Sequence, residues 1–107
     1  MKTTKKVREF ELTWGKSLNQ HVELPHDALP IHGRFNEKTG NVILAYESTE
    51  GMPTYKFTYH VVGTGDVIPE DSVHVVTVDT GKEYLHVYEN SSHWRRGLNQ
   101  GQDEAQG

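Results

Sequence analysis

Polar and apolar residues alternate along most of this chain. Over residues 6–14 the alternation puts Arg8, Phe10, Leu12 and Trp14 on one face and Val7, Glu9, Glu11 and Thr13 on the other. That pattern predicts a strand with its aromatic face inward, ended by Gly15. A short strand is predicted over residues 21–24 and stopped by Pro25, since proline cannot donate to a ladder. Residues 25–30, Pro-His-Asp-Ala-Leu-Pro, predict a turn or a single helical turn. Residues 31–36 and 41–48 predict a hairpin around residues 37–40, where Gly40 can take a positive φ. In its second strand Val42, Leu44 and Tyr46 share one face and Ile43 and Ala45 the other. Apolar groups on both faces predict a central strand.

The rest of the chain is organised around residues 54–89, read as three period-two runs forming a three-stranded antiparallel sheet on which the earlier strands pack. Tyr55, Phe57, Tyr59 and Val61 line one side of the first run, and Lys56, Thr58 and His60 the other. Gly63-Thr64-Gly65-Asp66 breaks it. Residues 67–70 predict a short extended piece. Residues 73–78 and 82–89 predict a final hairpin joined by Asp79-Thr80-Gly81. A three-residue loop with Gly81 left-handed puts His74 opposite His86, whereas a two-residue Thr80-Gly81 loop puts His74 opposite Val87. Threonine disfavours the positive φ of the two-residue turn, which favours the first register.

Together these runs predict an all-β fold, a single small antiparallel sandwich or partly open barrel of about 6–7 strands. Residues 1–5 are expected to be a flexible N-terminus, 6–90 the β domain and 91–107 a polar C-terminal tail. The tail has no periodicity, and its composition is that of a segment disordered alone or ordered by a partner. Trp94, Arg95 and Arg96 are its adhesive residues, since Trp and Arg are favoured interface anchors.

Composition narrows the function classes. The 107 residues suit one domain, burying roughly 65% of the surface of the unfolded chain. The formal charge of −4 argues against a nucleic-acid binder, which needs clustered Lys and Arg. The weak cluster Lys2, Lys5, Lys6 and Arg8 reads as a solvated face. With no cysteine, disulfides, thiolate zinc sites and Cys nucleophiles are excluded. No long apolar run predicts a membrane span, and the start lacks the apolar core of a secretory signal. The expected location is the cytosol, and a protein assembled into a virus particle would look the same.

No catalytic constellation stands out, so no enzyme and no cofactor are expected. Gly63-Thr64-Gly65, with Pro69 after it, reads as a structural loop. A dinucleotide fingerprint needs a third glycine opening a helix, a P-loop needs Gly-Lys-Ser/Thr, and Asp66 would repel phosphate. His60, His74 and His86 are weak metal candidates, because only one pair of them has a predicted geometry and zinc wants three or four converging ligands. A facing His pair would lower stability as pH falls below about 6.5. Asp66, Glu70 and Asp71 read as a solvated turn, and Asn90-Ser91-Ser92 as a coincidental glycosylation pattern.

Several segments share one resemblance. They are Leu24-Pro25-x-x-Ala28-x-x-Ile31, the block from Val61 to Glu70 reading VVGTGDVIPE, the strand Val75-Val76-Thr77-Val78, and the closing Leu85-His86-Val87-Tyr88-Glu89. This is similar to a family of small uncharacterised bacteriophage and prophage proteins with a VVGTG-x-x-IP centre and an end near WHVFE. The resemblance covers residues 7–89. Asp66 stands where that family often has His, and Leu85 where it often has Trp. It implies a phage origin and no particular chemistry. The resulting expectation is a non-enzymatic protein-binding module acting on a host or phage protein. A capsid-decoration or tail-associated virion component is the alternative, and a His-based metal-binding protein a third reading. A homo-oligomer through an exposed sheet edge is also open.

Overall fold

A computed structural model describes residues 4–15 and 19–90. Seven strands follow one another: β1 (Lys5–Leu12), β2 (Gln20–Pro25), β3 (Leu29–Asn36), β4 (Asn41–Thr49), β5 (Thr54–Gly63), β6 (Ser72–Asp79) and β7 (Tyr84–Asn90). They make two antiparallel sheets, ordered β1-β4-β3 and β2-β5-β7-β6, with no helix among the described residues. The alternation explains the packing. Val42, Leu44 and Tyr46 point from the first sheet, and Phe57, Tyr59, Val61, Leu85 and Val87 from the second, into one shared core. Phe10 ties the layers together, with its ring 5.7 Å from Tyr46 in its own sheet and 5.3 Å from Tyr59 in the other. The β4 strand is central, as its two-sided apolar pattern predicts, and Ile43 and Ala45 on its other face are also buried.

Three expectations need correction. Of the turn and the helical turn expected over residues 25–30, the turn occurs, closed by Ala28 N–H donating to the Pro25 carbonyl, but it is shorter than expected. The next strand begins at Leu29, so Pro30 lies inside β3, on a sheet edge where a missing N–H is tolerated. The chain irregularity between Pro30 and His32 absorbs the mismatch.

The second correction concerns the sheet of residues 54–89, which has four strands rather than three, because β2 joins it beside β5. The three runs of residues 54–89 do share a sheet, but β7 lies between β5 and β6. Both neighbours run antiparallel to β7 and are therefore parallel to each other. Residues 64–71 must carry the chain from the Leu85 end of β7 to its Asn90 end. The extended piece expected at residues 67–70 is part of that connection and is not a strand.

The third concerns the last hairpin. Asp79 pairs with Tyr84, leaving residues 80–83 as the loop, closed by Thr80 N–H donating to the Glu83 carbonyl. Neither expected register occurs: His74 opposes Tyr88, and Thr77 opposes His86. A bulge between His74 and Val76 adds one residue to β6. It lets Val75 and Val76 both pack on the core, a gain that alternation alone does not express.

Candidate interaction surface

The outward face of the four-stranded sheet carries most of the chain's chemistry. Across β5, β7 and β6, His60, Tyr88 and His74 form one row, and Val62, His86 and Thr77 the next. His21 on β2 sits beside Thr58, its Nδ1 2.9 Å from the hydroxyl. All three histidines singled out as metal candidates are on this face, but they do not converge as ligands. His74 and His86 meet through Thr77. Its Oγ1 is 2.8 Å from His74 Nε2 and 3.0 Å from His86 Nδ1. The other nitrogen of His86, Nε2, is 2.9 Å from Thr64 Oγ1. A hydroxyl has one proton to give, so Thr77 can donate to only one of the two rings, and the tautomers set the direction of each bond.

The bulge creates this line. In a regular strand, positions 74 and 77 face opposite sides; one extra residue between them turns both outward. His60, by contrast, is buried, at 5% exposure. Among the described residues, no group of three or more His, Asp or Glu is placed to hold a metal ion.

The glycine loop is built around Asp66. Its Oδ2 accepts the Gly63 N–H at 2.8 Å, and its own N–H donates to the Gly63 carbonyl at 3.1 Å. A carboxylate thus occupies the position that an anion would need. Gly65 has φ +98°, which excludes a side chain in practice. A Cβ on Gly63 would lie 3.3 Å from Trp14 Cη2, so the loop closes over the indole beyond the end of β1. At its far end the connection is held by Ser72 Oγ donating to the Pro69 carbonyl.

Between these two anchors the chain has little freedom. It must cover about 17 Å along β7 and about 10 Å across it. Turns at both ends use up residues, so the middle runs without slack to fold its apolar side chains onto the core. Val67 is accordingly 89% exposed and Ile68 50% exposed, flanked by Asp66, Glu70 and Asp71. Alternation marks residues 67–70 only as a short extended piece and does not register this exposure. The available signal was an apolar pair framed by carboxylates and too short for a strand. A separate open depression of about 380 Å³ lies between the two hairpin turns, lined by Phe35, Glu37, Asp79, Thr80 and Gly81. Its width makes it a surface feature rather than an enclosed ligand site. The expected contact residues Trp94, Arg95 and Arg96 lie outside the described residues.

Fold and surface together define a small two-sheet β domain with a hydroxyl-linked histidine face and a protruding apolar loop. The chain belongs to the family described as Domain of unknown function (DUF7352), whose model matches residues 3–96. No curated protein and no solved structure matches it.

Proposed function

We propose that this domain is a non-enzymatic protein-binding module, encoded by a bacteriophage or prophage and acting on a host or phage protein. The observation that carries the reading is the exposure of Val67 and Ile68 on a loop tied at both ends. An anchored loop loses little conformational entropy on binding, and two aliphatic side chains already in water gain by being covered. The phage origin rests on the VVGTG-x-x-IP resemblance alone.

The test is capture from lysate of infected cells by the full chain, compared with a Val67→Asp/Ile68→Asp variant. A partner retained by the first and lost by the second is expected. Equal capture by both, or none by either, removes this reading. Identification of the captured protein, with mass spectrometry of purified particles, separates a host target from a place in the virion.

A further inference from the structure

The connection formed by residues 66–71 has a chemical counterpart in the chain itself. The loop offers two exposed aliphatic side chains framed by three carboxylates, Asp66, Glu70 and Asp71. Residues 91–96 read Ser-Ser-His-Trp-Arg-Arg, an aromatic followed at once by two guanidinium groups. Aromatic on aliphatic and arginine on carboxylate are the pairings that favour association.

Connectivity brings the two together. β7 ends at Asn90, which pairs with Ser72, the residue that directly follows the loop. β7 therefore ends beside the point where the loop enters β6. Trp94 is four residues beyond Asn90 in the sequence, a reach of at most about 13 Å. A segment tethered this closely has an effective concentration on the order of millimolar, so even a weak contact is well occupied. The family match also continues past the last strand to residue 96, so the unit it describes includes Trp94, Arg95 and Arg96.

We infer that residues 91–96 of the same chain dock on the loop, with Trp94 covering Val67 and Ile68 and Arg95 and Arg96 facing Glu70 and Asp71. This rests on the proposed binding role of the loop and deepens it. The tail acts as a built-in competitor, and the external partner that displaces it presents an aromatic side chain next to basic ones. Removing the tail's side chains then tightens partner binding.

The experiment is nuclear Overhauser spectroscopy on the full chain, reading contacts from the Trp94 indole to the Val67 and Ile68 methyl groups. Such contacts are expected within one chain, and they should vanish in an Arg95→Glu/Arg96→Glu variant. Their absence in the native chain overturns the inference. So does their appearance only between differently labelled copies, which makes the occupant a second molecule. Contacts that persist unchanged after charge reversal overturn the ionic half. If the contacts are present but Val67→Asp/Ile68→Asp captures partner as well as the native chain does, the docking stands and the binding role of the loop fails.

Discussion

Gly33 on β3 packs directly against Val76 on β6, across the two sheets. A Cβ on Gly33 would lie 2.7 Å from Val76 Cγ2, 3.0 Å from Val78 Cγ2 and 3.4 Å from Leu44 Cδ2. The two nearest neighbours, Val76 and Val78, are stiff β-branched side chains on the facing sheet and have little room to swing away. The sheets must separate to admit even one methyl group. Gly33→Ala is therefore expected to lower stability by about 1–2 kcal/mol, despite the entropy gained by restricting the unfolded chain. Paired with Val76→Ala, the loss should be less than the sum of the two single changes. Urea unfolding of the four proteins in this cycle measures it.

Asp27 closes the turn between β2 and β3 onto the end of β4. The Thr49 N–H lies 3.2 Å from Asp27 Oδ1 and 3.1 Å from Oδ2. Partial burial pushes the carboxyl up, but the hydrogen bonds from Thr49 outweigh it and hold the group below its ordinary value. Asp27→Ala should cost about 1–2 kcal/mol at neutral pH, because Thr49 N–H loses its acceptor. The depressed value means this contribution is present above the ordinary aspartate range and lost as pH falls through the folded value. The variant should therefore lose less stability than the native chain on acidification below pH 4, read from melting temperature.

Glu11 links β1 to the β3–β4 turn. Its Oε2 accepts the Thr39 hydroxyl and the Asn41 side-chain N–H, each at 2.7 Å. These bonds hold its carboxyl below the ordinary 4.5, and the Lys6 ammonium at 2.8 Å does the same for Glu50. Both contributions are lost as pH falls through these lowered folded values. Glu11→Gln should speed amide exchange around residues 37–41 at neutral pH and leave the β6–β7 hairpin unchanged. Salt should weaken the Glu50 contact, an ion pair, more than the Glu11 contacts, whose donors are uncharged.

Thr77 is the shared partner of two imidazoles. Thr77→Val preserves the shape and the β propensity while removing the hydroxyl, so both His74 and His86 should show altered ring-nitrogen shifts. His21, bonded to Thr58, should not change. Thr77→Ser should retain the native spectrum. The stability cost should stay below about 1 kcal/mol, since water can replace an exposed hydroxyl.

Val67→Ser should leave urea stability within about 0.5 kcal/mol of native, because its side chain is already in solvent. A larger loss would mean that Val67 has a packing role.

Periodicity identified which side chains face the core. The inward sets Phe57-Tyr59-Val61 and Val42-Leu44-Tyr46, and the central place of β4, follow from alternation, because a pleated strand turns each successive side chain to the opposite face. The same local rule is silent on which strand lies beside which. The insertion of β7 between β5 and β6, which stretches residues 64–71 and leaves Val67 in water, arises from closing two sheets over one core. The His74–Thr77–His86 line depends on an extra residue in β6, which lets Val75 and Val76 both reach the core. A bulge reverses the facing of everything beyond it, and only the packing of the opposite sheet decides where it falls.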